Sequence, residues 1–175
     1  MKGRKKYLLL PSIALAVFTI AVLFAMVLAA PTGTNFGVDN ASGESETYEL
    51  VPVNITNAQN GPIAGIGFDI LYNDSVITAV GIQAGDLTGD WDWNLSGYVN
   101  NDSWGTTVAM VYNGGTGIVN GSTGSVVMLN FSVVGAPGTT SRMNLTNIQL
   151  SDLNGNVGTA PARNGTFTVK SNCSI

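Results

Sequence analysis

The chain after Pro31 consists of short runs in which apolar and polar residues alternate, and clusters of Gly, Asn and Asp separate these runs. A period of two is typical of β-strands that bury one face, and no run shows the period of a helix. In the run at residues 66–72, Ile, Phe, Ile and Tyr share one parity and are expected to point into a core. The pattern predicts strands at 48–56, 66–72, 106–112, 126–134, 143–150 and around 167–169.

Four of these runs carry further information. The run at 106–112 is apolar on both parities, which predicts a central strand or one that lies under a partner. The run at 143–150 changes parity near Asn147, which predicts a β-bulge. Asn54 and Asn130 lie in mid-strand at outward positions. Strands at this spacing, joined by Gly-rich turns, predict an all-β sandwich.

The amino-terminal segment has a different character. Four of the first six residues are basic, and an apolar run follows at residues 7–30. This arrangement is typical of an export signal, here with cleavage after Ala29, but the run is also long enough to remain as a helical membrane anchor. Either way the remainder is expected outside the cell, secreted or at the surface. The predicted domains are therefore a signal peptide or anchor (1–30), a linker (31–36), a β-sandwich (37–170) and a tail (171–175).

The exported part of the chain is acidic. All eleven Asp and Glu residues but only three of the seven basic residues follow the amino-terminal segment, so its net charge is −8 against −4 for the whole chain. This composition lacks the basic patch that nucleic-acid binding requires. The single cysteine, Cys173, lies in the tail, so the sandwich has no internal disulfide. Its thiol is either free or engaged in an intermolecular disulfide.

Asn-x-Ser/Thr triplets are more frequent than chance predicts. The exported part has 18 Asn and 28 Ser and Thr in about 146 residues, which would give about three or four triplets, whereas ten are present. The excess predicts N-glycosylation, although an Asn- and Thr-rich surface also produces triplets by accident. An exported, acidic, disulfide-free and glycan-rich domain is typical of an archaeal surface protein. The triplets begin at Asn40, Asn54, Asn73, Asn94, Asn101, Asn120, Asn130, Asn144, Asn164 and Asn172.

The order of the runs resembles a cohesin domain over residues 37–170. The most specific piece is FDILYNDSVITAVGIQAGDL, which is similar to the family's aromatic-rich strand, Tyr-Asp-Pro turn, apolar strand and Gly-Asp-Leu sequence. Asn73-Asp74-Ser75 departs from the family at the turn, where Asp-Pro is usual. The resemblance implies a nine-stranded jelly-roll β-sandwich. It also rests on ELVPVNITN, TTVAMVYNGGTG, GSVVMLNFSVVG, LTNIQLSDLNGN and NGTFTVK.

The resemblance also implies a partner and a contact face. Cohesins bind calcium-loaded dockerin modules on one flat sheet face, so calcium would belong to the partner and the chain itself needs no cofactor. Gly65, Gly67, Asp69 and Leu71 occupy the outward positions of the strand at 66–72, and the two glycines stand where many bacterial cohesins carry polar residues. None of the four begins a triplet, whereas other strands carry triplets at outward positions, for example Asn144. We therefore predict that these four residues contact a dockerin-like or other surface protein.

The segment GDWDWNLSG at residues 89–97 begins with the spacing of oxygen-bearing side chains that is found in calcium-binding loops. Asp90, Asp92 and Asn94 match positions 1, 3 and 5, but Leu95 replaces the glycine at position 6 and Asn101 replaces the carboxylate at position 12. We therefore predict no metal site here. The segment at 152–156, DLNGN, is interpreted as a turn.

Three tryptophans lie in or near the same segment. Trp91, Trp93 and Trp104 either stack on sugar rings or cap one end of the sandwich core. The resemblance places GDWDWNLSG in a connection between strands, which favours a segment anchored by its tryptophans.

The sequence also argues against catalysis. It has no histidine, no serine in a nucleophile elbow and no phosphate loop, and the neighbouring acids Asp90 and Asp92 are expected to be solvated. We therefore predict a non-catalytic, exported, N-glycosylated cohesin-like module that binds a protein at the cell surface. The alternatives are a carbohydrate-binding module for a polysaccharide and a structural subunit of the cell envelope, each with the same sandwich form.

Overall fold

The computed structural model describes residues 29–89, 98–102, 105–112, 114 and 117–171, and these residues form twelve β-strands. Within this part of the chain, no helix is long and apolar enough to cross a membrane. The strands are Thr32–Val38 (β1), Ala41–Gly43 (β2), Tyr48–Gln59 (β3), Ile63–Leu71 (β4), Ile77–Ala84 (β5), Tyr98–Asp102 (β6), Gly105–Val111 (β7), Gly124–Val133 (β8), Thr140–Asp152 (β9), Val157–Gly158 (β10), Ala162–Arg163 (β11) and Gly165–Val169 (β12).

The strands form two sheets. The first has the order β11-β1-β3-β8-β5. The second has seven strands in the order β2-β12-β9-β4-β7-β6, and β10 pairs with β9 beside this path. Strand β4 is therefore central in the second sheet, with β9 on one side and β7 on the other. The two sheets make the sandwich that the alternation predicts.

The inner faces of the two sheets share one apolar core. Phe36 of β1 and Phe68 of β4 lie with ring centroids 5.3 Å apart, and Tyr72 meets Phe131 of β8 edge to face at 5.4 Å. Pairs of this kind contribute about 0.5–1.5 kcal/mol each beyond the area that they bury. They attach the inner face of β4 to the opposite sheet, so the outer face of β4 is directed away from the core.

The predicted alternation of β4 is confirmed. Ile66, Phe68 and Ile70 are at most 3% exposed, whereas Gly67, Asp69 and Leu71 are partly exposed. Strand β8 alternates in the same way, with buried Leu129 and Phe131 on either side of half-buried Asn130. Strand β7 lies between β4 and β6, as predicted for a central strand, although Ala109 and Val111 are exposed on its outer face.

The predicted bulge in β9 is also confirmed. Asn147 has φ 52°, a left-handed conformation that asparagine tolerates better than most residues. Between the pairs Gly67–Gln149 and Asp69–Thr146, β9 advances three residues while β4 advances two. The extra residue changes the parity of β9, so the polar side chains on both sides of the bulge stay on the outer face.

Two features differ from the sequence-based prediction. Strand β1 begins at Thr32, inside the segment 31–36 that we assign to a linker, because its residues pair with β3 and so belong to the first sheet. The described residues also form twelve strands rather than nine, because β2, β10 and β11, of two or three residues each, add short pieces to the sheets. Residues 1–28 of the predicted amino-terminal signal or anchor (1–30) lie outside the described part of the chain.

Candidate functional site

The candidate site is the outer surface formed by β4 and its two neighbours. Pairing in the second sheet sets Gly67 beside Ala109 of β7 and Gln149 of β9. Because directly paired residues of an antiparallel sheet point to the same face, the side chains of all three strands form one surface. We call this the β4 surface: Gly65, Gly67, Asp69 and Leu71 of β4, Thr107, Ala109 and Val111 of β7, and Thr146, Gln149 and Ser151 of β9.

The glycines of β4 make the middle of this surface shallow. A methyl group at Gly67 would meet only the carbonyl oxygen of Val108, at 4.0 Å, so the space above this residue is open. Gly65 is different, because the hydroxyl of Ser151 lies over its α-carbon and leaves it buried. Gly65 is therefore less accessible than its predicted outward position implies, and the open part of β4 begins at Gly67; the contact of these residues with a partner stays a prediction.

The open space above Gly67, together with the grooves at its two ends, forms a trough along the β4 surface. One end of this trough is apolar. Val111 is 62% exposed and Val157 is 58% exposed, and both line the groove that contains Gly65 and Gly67. Large aliphatic side chains with this exposure gain free energy when a partner covers them. This end of the surface can therefore supply apolar contact to another protein.

The other end of the trough is polar and carries a fixed acid. Asp69 accepts a hydrogen bond from the Thr107 hydroxyl at 2.7 Å and another from Nδ2 of Asn147. The bulge in β9 is what places Asn147 within reach of Asp69. Two donors hold the carboxylate in one orientation, which prepares it for a cationic or hydrogen-bond-donating group of a partner. Asp69, Thr107 and Asn147 line a second groove next to Gly67.

The triplets lie at different distances from the β4 surface. Asn54 and Asn130 belong to β3 and β8 of the other sheet. Asn144, however, lies on β9 directly opposite Leu71 and is half-buried. A glycan there would stand beside Leu71, so the triplet-free part of the surface is the stretch from Gly67 to Asp69 rather than the whole strand.

Several predicted residues lie outside the part of the chain that the structure describes. These are the three tryptophans and the three polar residues of GDWDWNLSG, together with the tail cysteine and its neighbouring triplet. They are Asp90, Trp91, Asp92, Trp93, Asn94, Trp104, Asn172 and Cys173. Asn101 lies on β6, where its backbone pairs with Thr106. The predictions of sugar stacking and of a metal-free loop stay predictions.

The segment at 152–156 forms the predicted turn. Asp152 accepts hydrogen bonds from the backbone N–H groups of Asn154 and Asn156, at 2.8 and 2.9 Å, and from Nδ2 of Asn156 at 2.8 Å. The side-chain bond from Asn156 is the main cause that lowers the pKa of Asp152 from its ordinary 3.8, and the backbone bonds add to it. The carboxylate therefore serves the turn between β9 and β10. Among the described residues, no three Asp, Glu, His or Cys side chains form a cluster that could hold a metal ion.

Comparison with known proteins gives a family match over most of the chain. The family model described as "Cohesin domain" matches residues 34–169. No curated protein matches the chain.

Several solved structures have the same fold. A non-cellulosomal cohesin from the hyperthermophilic archaeon Archaeoglobus fulgidus is 23% identical, with a TM-score of 0.61 over 82% of this chain and 93% of its own. The sixth cohesin of scaffoldin B from Acetivibrio cellulolyticus, in complex with a Cel5 dockerin, is 20% identical, with a TM-score of 0.64 over 79% and 99%. The Coh-OlpA–Doc918 cohesin–dockerin complex from Clostridium thermocellum is 17% identical, with a TM-score of 0.61 over 81% and 99%.

Proposed function

Because the chain belongs to the cohesin family, we propose that it is a non-catalytic module that captures a dockerin-like partner on its β4 surface. The observation that carries this proposal is the surface itself: it is shallow at Gly67, has an apolar end at Val111 and Val157 and a held carboxylate at Asp69, and no triplet asparagine lies in its Gly67–Asp69 stretch. Structures of related cohesins in complex with dockerins support the class of partner.

The trough favours close approach by a partner backbone or by long side chains. Gly67 presents no side chain and Ala109 beside it presents only a methyl group, so a partner helix can lie close to the sheet. Recognition then depends on apolar contact at one end and on a donor for Asp69 at the other. A standard interface buries about 800 Å² on each partner, and one face of a central three-strand region is large enough for this.

The location of the module is part of the same proposal. The basic start and the apolar run at 7–30 direct the acidic remainder out of the cell, either as a secreted protein or as one held by the uncleaved segment. In that environment the Asn-x-Ser/Thr triplets become substrates for N-glycosylation. The module would display the β4 surface to other exported proteins.

Binding should require calcium on the partner rather than on this chain. Dockerin loops of the EF type hold calcium through side-chain and backbone oxygens, and their fold depends on the ion. The test is a calorimetric titration of the exported protein with a dockerin module of the same cell, in calcium and after chelation. We expect saturable one-to-one binding in calcium and none with chelator, while the melting temperature of this chain is the same in both buffers. Binding to cell-wall polysaccharide without binding to any dockerin module would contradict the proposal.

A further inference from the structure

Seven triplet asparagines have described side chains, and the five whose amide groups form hydrogen bonds fall into two kinds according to which amide atom is used. An N-linked glycan is attached to Nδ2, and the transfer uses the Ser or Thr hydroxyl two residues later. A bond forms between Nδ2 and the anomeric carbon, the bond from that carbon to the phosphate of an activated glycosyl donor breaks, and the proton lost from nitrogen leaves with the phosphate. A triplet that suits this reaction keeps Nδ2 and the hydroxyl accessible.

Asn54 is the clearest case of a triplet whose groups are engaged elsewhere. Its Nδ2 donates to the Asp39 carboxylate at 2.8 Å, and the hydroxyl of Thr56 donates to Oδ1 of Asn35 at 3.0 Å. Both groups that glycosyl transfer requires are therefore used in hydrogen bonds between β3 and the β1 edge. Asn54 is also half-buried within its strand.

A neighbouring arginine closes the space around Asn54. Gly37 of β1 pairs with Asn54 on one side and with Arg163 on the other, so the three residues form a row across the sheet. A methyl group at Gly37 would lie 2.8 Å from Nε of Arg163, which shows that the arginine side chain covers this glycine. Arg163 also pairs with Asp39, the acceptor for Asn54. A sugar ring on Nδ2 would have to displace this ion pair.

Four other triplets have the opposite arrangement. Each asparagine is exposed, lies outside the strands and uses only Oδ1, which accepts a backbone N–H and holds the side chain in place. The bonds are Thr166 N–H to Asn40 at 2.8 Å, Ser75 N–H to Asn73 at 3.1 Å, Gly61 N–H to Asn120 at 2.7 Å and Leu145 N–H to Asn164 at 2.9 Å.

The reactive groups of these four triplets have few internal partners. Within the described chain, Nδ2 of none of the four donates a hydrogen bond, and the hydroxyls of Ser42, Ser122 and Thr166 make none either. The hydroxyl of Ser75 donates only to Oδ1 of its own Asn73. The backbone bonds explain why asparagine stands at these four positions. They do not explain the hydroxyls of Ser42, Ser122 and Thr166, which N-glycosylation does explain.

We propose that Asn40, Asn73, Asn120 and Asn164 carry N-linked glycans and that Asn54 does not. This inference rests on the proposed export of the chain. The four sites lie in turns and connections between strands, outside the Gly67–Asp69 stretch of the β4 surface. Asn54 has instead a structural role, as the link between β3 and the Asp39–Arg163 pair.

The test is glycopeptide mapping of the protein purified from its native cell. We expect sugar on the peptides that contain Asn40, Asn73, Asn120 and Asn164, and an unmodified Asn54 peptide. Sugar at Asn54, or an unmodified majority of the four in a protein that carries sugar elsewhere, would overturn the assignment. A protein with no sugar at any triplet would overturn glycosylation altogether and leave partner capture to be judged by its own titration.

Variants made in the native cell test the reason for the difference. Asp39→Ala combined with Asn35→Ala removes the acceptors of Nδ2 and of the Thr56 hydroxyl, together with the ion-pair partner of Arg163, so Asn54 should gain a glycan, and adding Thr56→Ala should prevent it. Asn164→Asp retains an oxygen for the Leu145 N–H but cannot be glycosylated, so it should lose the mass of one glycan with no loss of fold. A protein with both Asp39→Ala and Asn35→Ala that is folded and still bare at Asn54 would contradict the role given to these two hydrogen bonds.

Discussion

Replacing two consecutive residues of β4 should change stability in opposite directions. Phe68 is 2% exposed and lies 5.3 Å from Phe36 between ring centroids, whereas Gly67 faces the open trough. Phe68→Ala leaves a cavity and loses the ring contact, so it should lower the free energy of unfolding by about 3–5 kcal/mol. Of this amount, about 0.5–1.5 kcal/mol belongs to the aromatic pair itself.

Gly67→Ala should instead raise the free energy of unfolding. The added methyl group meets only the Val108 carbonyl oxygen, at 4.0 Å, and the backbone of Gly67 is not in the left-handed region. Alanine then reduces the conformational freedom of the unfolded chain and should raise the free energy of unfolding by about 0.4–1 kcal/mol. Equilibrium unfolding in urea measures both variants, with the slope of the transition as a check that each stays two-state.

The comparison of the two variants is a direct test of strand parity. A loss below about 1 kcal/mol for Phe68→Ala would mean that the ring is not in the core, since full burial of an aromatic ring contributes more than this. A Gly67→Ala protein less stable than Phe68→Ala would show that the faces of β4 are reversed. Either result would also remove the basis for placing a partner on the β4 surface.

Three further predictions concern the bulge, a turn and export. Both Asn147→Val and Asn147→Gly lose the hydrogen bond to Asp69, but Asn147→Val should be less stable than Asn147→Gly by about 1–2 kcal/mol in urea titration, because a β-branched residue is strained at φ 52°. Equal stabilities would contradict the conformation of the bulge. The pKa of Asp152 is lower in the folded state than its ordinary 3.8, so the carboxylate's contribution to stability is complete above that value and is lost as pH falls below it. In melting curves between pH 2 and 5, Asp152→Asn should therefore lose less of its melting temperature on acidification than the wild type. An equal loss in both proteins would contradict this linkage. Intact-mass analysis of the native protein should show removal of residues 1–29 and heterogeneous added mass, whereas Met1 retained in a membrane fraction would favour the anchor and a bare polypeptide mass would exclude glycans.

The sequence allows the faces of the strands to be predicted, because burial follows period two wherever a strand covers one side of a core. This is why the inner positions of β4, the outward position of Asn130 and the bulge at Asn147 agree with the structure. The family resemblance added the choice of β4 as the contact strand, and the family match supports the fold it implies.

The neighbours of a strand are not visible in the same pattern. Thr107 and Asn147 reach Asp69 across separations of 38 and 78 residues, and Val157 joins the trough from a two-residue strand. Alternation says which side a residue faces but not which strand lies beside it, so these contributors to the site were missed. Burial of Gly65 was missed for the same reason, since it depends on the position of Ser151 in β9.

Partner capture by the β4 surface is the central claim, and two matched glycine variants test it most directly. Gly67 lies on the β4 surface and Gly81 on β5 of the other sheet, and for both the nearest atom to an added methyl group is 4.0 Å away. A side chain therefore begins in open space at either position, but at Gly67 an arginine extends into the trough that a partner must enter.

The measurement is the calorimetric dissociation constant of the calcium-loaded dockerin module for the wild type, Gly67→Arg and Gly81→Arg, with melting temperatures to confirm that all three are folded. A clash and a desolvated charge at an interface cost about 2–5 kcal/mol, so Gly67→Arg should weaken binding by at least about 30-fold. Gly81→Arg should bind within about twofold of the wild type, since that factor corresponds to less than about 0.5 kcal/mol. Wild-type affinity in a folded Gly67→Arg protein would contradict the claim and move the site to the tryptophan-bearing segment at 89–97.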